Sequence, residues 1–269
     1  MKYDIENLLY GKNVTSLKIL KDKVTSYLSN QDNYNVWFPD IFESEYNLQD
    51  EPVHVVLLGD FFRKFFESGN WIIDKILFHT MCTSSKNVLT KLLKIPADKI
   101  CVINRYELYP PQEAKVPDPS KEINLICAGR ISAQKNIEAL LLVYYYLEKN
   151  SSLNLRLHLF GEFDNEFNED KGPKLDFNYE KRNTSLLKEI DFKNPPIFHG
   201  KVSHNSWMNH NLSQEVFISF STFFNEDFGV SVAQAQQKGM PCILSDWGAH
   251  KDITKGIRTH INSTLIPLP

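Results

Sequence analysis

EINLICAGRISAQKNIEALL, residues 122–141, is the stretch on which the fold turns. Its opening, EINLICAG (122–129), is a short apolar run closed by a glycine, the pattern of a buried strand. Its continuation, NIEALLLVYYYLEK, spaces apolar residues along one face of a helix that begins near Asn136. Between them Arg130 and Lys135 emerge at one strand-end rim. The alternation repeats downstream. NLRLHLFG (154–161), PPIFHG (195–200), EVFISFS (215–221) and MPCILSD (240–246) read as further buried strands. The segments YEKRNTSLLKEI, SHNSWMNHNLSQ and FGVSVAQAQQKG read as the helices between them, with Ser203 or Gly229 placed to open a first turn. Strand followed by helix, several times over, predicts an α/β fold with a parallel doubly wound sheet.

Upstream lies PPQEAKVPDPSKE, residues 110–122, where four prolines break any regular period. It predicts two domains, 1–112 and 122–269, with 113–121 as the linker. In the first, EPVHVVLLGD (51–60) and DKICVINRYE (98–107) read as strands, and FFRKFFESG and SSKNVLTKLLKI as helices. The first ~50 residues read as mostly helical and polar. No strand with a glycine-rich turn opens the chain, and INSTLIPLP at the far end reads as a last strand with no helix behind it. The expectation is therefore two Rossmann-like domains with the N-terminal one shortened.

Composition narrows the classes of function. The 269 residues exceed the usual single-domain size, and 42% hydrophobic with 23% charged residues is the balance of a folded soluble chain. Thirty basic against 33 acidic residues give a net charge of −3 with no basic stripe, which argues against a nucleic-acid partner. No run approaches the ~20 apolar residues of a membrane span. MKYDIENLLY lacks the apolar core of a signal peptide, so the expected location is cytoplasmic. Cys82, Cys101, Cys127 and Cys242 form no CxxC pair, and three of them lie in strand-like runs, which predicts buried reduced thiols. The eight histidines show no metal-ligand spacing, so neither a metal nor another cofactor is expected.

In doubly wound sheets the ligand crevice lies outside the carboxyl ends of the strands, where helix N-termini favour phosphate. Arg130 and Lys135 would flank a diphosphate there, beside the helix amides near Asn136. A second constellation, STFFNEDFGVSVAQAQQKGMPCILSDWGAH (221–250), carries Glu226 on the loop after a strand ending near Phe220. The first amides of its helix, near Phe228, Gly229 and Val230, would face the same crevice, and Gln234 lies just over one turn inside. Gly239 ends that helix ahead of Met240 and Pro241, and Gly248 follows the next strand in a tight turn.

Taken together, Gly129, Arg130, Lys135, Asn136, Glu226, Phe228, Gly229, Gly239, Pro241, Asp246 and Gly248, in that order, resemble the retaining GT-B glycosyltransferases, in particular family 4 of the glycosyl transferases. The resemblance covers about half of the chain, from Ile123 to about Ile253, and residues 71–106 look like the last strand-helix-strand segment of the family's first domain. It implies a hexose moved from a nucleotide diphosphate sugar to a glycan or lipid-linked acceptor, with retention and without a metal. Arg130, Lys135 and Glu226 would be catalytic. Gly129, Asp227, Phe228, Gly229, Val230 and Gln234 would bind the donor, the residue at 234 meeting the ribose. A lipid-linked acceptor would also bring peripheral contact with the inner face of a membrane.

Two departures bear on turnover. Gln234 stands where the family's E-x7-E carries its second glutamate, a change from charged to neutral hydrogen bonding worth roughly 1 kcal/mol of donor affinity. Gly59 and Asp60 stand where a His-Asp pair is common. They keep open a second reading, a non-catalytic relative that binds a nucleotide sugar or a partner protein. A sugar-nucleotide epimerase on the same architecture fits the Arg130, Lys135 and Glu226 spacing less well. His199, His204, His210 and His250 have no partner at helical spacing and read as structural or exposed. Tyr144, Tyr145 and Tyr146, like Phe61, Phe62, Phe65 and Phe66, read as packing residues, and the acidic stretch 162–170 as a solvated loop.

Overall fold

The computed structural model describes residues 14–31, 35–38, 53–57, 73–163, 178–202, 207–222, 226–253 and 258–261. The expectations for Gly59, Asp60, Phe61, Phe62, Phe65, Phe66 and His204, and for most of the acidic stretch 162–170, fall outside these residues. The described strands form two parallel sheets. The first runs in chain order, β1 (Asn35–Trp37), β2 (Val53–Leu57), β3 (Ile76–Thr80) and β4 (Ile100–Val102). The second comprises β5 (Glu122–Ala128), β6 (Asn154–Phe160), β7 (Ile197–Gly200), β8 (Glu215–Ser219), β9 (Cys242–Ser245) and β10 (Arg258–Ile261). Its spatial order is β10-β9-β8-β5-β6-β7. The chain starts this sheet in the middle, winds out to one edge, then returns and winds to the other. Between β5 and β8 the winding reverses, and such a reversal opens a crevice at the strands' carboxyl ends. Among the described residues the first sheet has no reversal, so the only such crevice belongs to the second sheet.

The helices are α1 (Val14–Ser29), α2 (Thr83–Lys91), α3 (Arg105–Leu108), α4 (Ile137–Asn150), α5 (Tyr179–Glu189) and α6 (Val230–Gln237). Strand alternation sends Leu125, Leu155, Leu157 and Leu159 to one face of the second sheet, where Ile137, Leu140, Leu141 and Tyr144 of α4 cover them. The other face carries Ile126, Ala128, Phe160 and Phe217 against Trp207 and α6. In the first sheet Val53, Val55, Ile76 and Phe78 pack beneath Leu89 of α2. A fourth cluster joins the two halves: Leu20, Val24 and Leu28 of α1, with Ile103, Leu108 and Tyr109, enclose Phe228 and Ala233. Each of these large side chains contributes about 1.5–3 kcal/mol by leaving water. Phe228, at 1% exposure, thus anchors the loop before α6 in apolar packing shared with the first half.

Several expectations change. SHNSWMNHNLSQ is not a full helix: of its described residues, 207–214, only Trp207 and Met208 are helical, and Trp207 packs beside Phe217. Cys101 is exposed rather than buried, since β4 is an edge strand and only its Ile100 reaches the core. Cys82 and Cys242 are buried, Cys127 is half-buried, and all four thiols are free. INSTLIPLP, apart from Ile261 at the end of β10, lies outside the described residues. Tyr144 is fully buried and bonded to Asn194 O at 2.7 Å, whereas Tyr146 on the same helix is 64% exposed.

Candidate functional site

The two loops at the reversal carry the residues singled out in the sequence. After β5, Gly129 leads into Arg130 and a short 3-10 turn, Ala133–Lys135, and Asn136 in the left-handed conformation (φ 55°) starts α4 at Ile137. The neighbouring strand end is pressed close. A Cβ on Gly161 would lie 1.8 Å from Gly129 O, so only glycine lets β6 finish there. After β8, Ser221 and Thr222 lead to Glu226, and Thr222 N donates to Gln134 O at 3.1 Å, tying the two loops together.

Lys135 Nζ forms an ion pair with Glu226 Oε2, which also accepts from Ser221 Oγ at 2.7 Å. The side chains are 23% and 10% exposed. Burial pushes the Glu226 carboxyl up, but the Lys135 ammonium, the nearby His250 ring and the Ser221 hydroxyl bring it down to about 2, so it is an anion across the physiological range. Arg130 stands at the same strand end with Nη2 3.5 Å from Gln134 Oε1. Lys135 and Glu226 therefore meet on the loops of β5 and β8, which are adjacent in space although the two residues are 91 apart in sequence, and Arg130 lies on the first of these loops.

The backbone holds Glu226 as firmly as its side chain. Ala249 N donates to Glu226 O at 2.7 Å, and Gly248 (φ 51°) lies so close that an added Cβ would come within 2.4 Å of that oxygen. Gly248→Ala is expected to destabilise the protein by about 1–3 kcal/mol through strain and to shift the Glu226 loop; a denaturant midpoint unchanged from wild type would refute it. His250, which the sequence set aside as structural, is 1% exposed and belongs to this site. Its Nδ1 lies 3.1 Å from Ser245 Oγ, which donates to Ser221 O at 2.5 Å. Burial, against the pull of Glu226, lowers the imidazole pKa to about 4, so the ring is neutral.

The starts of α4 and α6 are held by different partners. The N–H groups of Ile137 and Glu138 at the start of α4 donate to the Tyr179 hydroxyl at 3.1 and 3.3 Å, so these amides, expected to face a phosphate, already have a partner. Nothing in the spacing of Asn136 foretold a tyrosine from α5 arriving there. At α6, Gly229 (φ 67°) precedes Val230, and the carbonyls of Phe228 and Gly229 accept from Arg105 of α3 at 2.7 and 3.5 Å. Arg105 also donates to Ala249 O at 3.2 Å. Asp227 is half-buried, and its carboxylate, after burial itself, helps to raise the pKa of the Cys82 thiol at the end of β3. Gln234 is 3% exposed inside α6. That helix closes with Gly239 N to Gln236 O and Met240 N to Ala235 O, the paired bonds of a Schellman ending.

Known proteins sharpen this geometry. The lipopolysaccharide outer core galactosyltransferase WaaB superimposes with a TM-score of 0.55 at 15% identity, over 94% of this chain and 68% of that one. A trehalose-6-phosphate synthase studied for glycosyl transfer with retention gives 0.56 at 11% identity, over 90% and 66%. Anabaena HepE, in complex with UDP and glucose, gives 0.50 at 15% identity, over 91% and 62%. The chain thus spans about two thirds of the length of these structures, and at such identities the likeness establishes the fold, that of the GT-B glycosyltransferases. No curated protein sequence matches. The family model described as glycosyl transferases group 1 matches residues 110–258, more than half of the chain, including both loops at the reversal but not Arg105. The chain is a member of the glycosyl transferases group 1 family.

Proposed function

We propose that this chain transfers a hexose from a nucleotide diphosphate sugar to a glycan or lipid-linked acceptor, with retention at the anomeric carbon and without a metal. The observation that carries this reading is the meeting of Lys135 and Glu226 at the reversal of the second sheet, with Arg130 beside them. The acceptor oxygen attacks the anomeric carbon as the bond to the diphosphate oxygen breaks. The bonding electrons go to that oxygen, and the acceptor's proton follows on the same face. Arg130 and Lys135 stabilise the departing charge, the role a divalent ion plays in other enzymes. Glu226 stays ionised to bind the sugar hydroxyls, and the amides of Gly229 and Val230 complete the donor pocket. Support for the donor comes from HepE, which holds UDP and glucose, and support for retention from the trehalose-6-phosphate synthase. A lipid-linked acceptor would place the chain at the inner face of a membrane.

A thermal-shift screen of nucleoside diphosphates and their sugars tests the donor site. At least one diphosphate is expected to raise the midpoint of the wild type and not that of Arg130→Ala, because a ligand that binds only the folded state stabilises it. No response from any of them removes the reading. Gln234 favours one rival: a neutral, buried amide replaces a carboxylate, as in a relative that binds without turnover. Nucleotide binding with neither transfer nor donor hydrolysis would select that rival.

A further inference from the structure

The donor-side loop is completed from outside its own domain. Arg105 opens α3 in the first half of the chain, is 5% exposed, and directs its guanidinium at three carbonyls of the second half, those of Phe228, Gly229 and Ala249. Its guanidinium carbon also sits 5.0 Å from the Phe228 ring centroid. Two of these carbonyls, those of Phe228 and Gly229, belong to the peptides whose N–H groups stand at the start of α6. In a trans peptide the C=O and the next N–H point in opposite directions, so drawing the Phe228 and Gly229 oxygens toward Arg105 turns the Gly229 and Val230 N–H groups away from it. Ala249 supplies the third carbonyl, and its own N–H holds Glu226 O. One planar cation with several fixed donors thus braces both the amide end of α6 and the turn that carries Glu226.

We infer that Arg105 is a positioning residue for the donor site: from the first half of the chain it sets the orientation of the Gly229 and Val230 amides and of the Glu226 loop, so that affinity for a nucleoside diphosphate depends on a residue that never touches it. This rests on the donor-site reading proposed above. Its surroundings fit the role. Neither Tyr106 nor Glu107, the next residues of α3, is buried, and among the described residues the carboxylates that act on Arg105 across the interface are those of Asp252 and Glu226. A lysine there could reach one carbonyl, not three in a fixed fork.

The test uses the full chain and uridine diphosphate with the other nucleoside diphosphates as probes, titrated calorimetrically into wild type, Arg105→Ala, Arg105→Lys and Arg130→Ala. Losing a positioned charged hydrogen bond is expected to weaken diphosphate binding about tenfold in Arg105→Ala. Arg105→Lys is expected to fall between, and millimolar ethylguanidinium to restore much of the loss in Arg105→Ala and none in Arg130→Ala. Hydrogen exchange is expected to quicken in the peptides covering 226–234 and 247–253. Such a pattern would not arise from a merely looser core, which the small cation would not repair. Wild-type affinity in Arg105→Ala, or a loss that ethylguanidinium leaves untouched in both Arg105 variants, overturns the inference while the donor site stands. Failure of every diphosphate to bind wild type defeats the donor reading itself, and this inference with it.

Discussion

Lys135→Ala is expected to slow sugar transfer by roughly 10²–10³-fold in kcat, the scale on which removing one fixed charge-stabilising donor acts. The Lys135 ammonium is held by Glu226, so under the proposed function it already stands at the crevice wall before a diphosphate binds. A positioned cation costs no reorganisation when charge builds on the leaving oxygen, which is why its loss falls on kcat more than on KM. Glu226→Ala is expected to reduce transfer comparably, by removing the anion beside the sugar and releasing Lys135 from its place. The two losses should not add, because the residues act as one unit. Stability should follow the same pattern. Removing either partner strands a charge in a mostly dry site, at a cost of about 2 kcal/mol, below the ~3–5 kcal/mol of a fully buried pair because Lys135 keeps some contact with water. The double variant should cost less than the sum of the singles. Initial rates and denaturant midpoints over the four proteins of this cycle decide it, and a Lys135→Ala enzyme at the wild-type rate would end the proposed role.

Acidification should destabilise the protein in two overlapping steps. His250 is held neutral by burial with a pKa of about 4, below the ordinary 6.5, so the unfolded chain takes up a proton before the folded one does. Its contribution is complete above pH 6.5 and is lost as the pH falls toward 4, at most about 3 kcal/mol. His158 acts in the same direction: burial, then the His199 and His210 rings beside it, lower its pKa to about 4, with Arg156 pushing the same way and Glu122 opposing. The carboxyl of Glu226, at about 2 against an ordinary 4.5, adds a second loss below pH 4.5. Around His250 the groups that face it are Glu226, Lys135 and Arg105, together with the Ser245 hydroxyl. For each ring, a loss of about 3 kcal/mol corresponds to a fall of roughly 6–12 °C in the midpoint of a chain this size. Thermal scans from pH 8 to pH 4 should show it, and His158→Asn with His250→Asn should flatten the upper step. An equal slope in that double variant would show that the two rings are not its source.

The second sheet was legible because its central strands are largely buried and so appear as short, mostly apolar runs, closed by glycine, serine or aspartate. EINLICAG and NLRLHLFG became β5 and β6 nearly residue for residue, and Gly239 ended α6 as expected. That Lys135 and Glu226 stand at one rim was legible because a strand end followed by a helix start fixes the edge on which a loop residue must stand. What escaped notice depends on residues distant in sequence. Tyr179 reaches the amides of α4 from 41 residues away, and Arg105 reaches Phe228 over 123. Neither has a local period. The His158, His199 and His210 assembly escaped for the same reason: β6 and β7 bring His158 Nδ1 to 2.9 Å from His199 Nε2, while His210 arrives from a loop. Cys101 misled because an edge strand carries the composition of a central one without its burial.

The proline-rich approach to β5 has a mechanical consequence. Gln112 N bonds Gln236 O and Lys115 N bonds Gly239 O, and an added Cβ at Gly239 would meet Glu113 O at 2.7 Å. From Gln112 onward this strip is fastened to the end of α6 and must travel with it. Pivoting of one sheet against the other would therefore have to be absorbed ahead of Gln112, at Tyr109, Pro110 and Pro111, where both pyrrolidine rings lock φ. Few torsions remain free to act as the hinge, and its far side is bolted to the helix that carries Gln234.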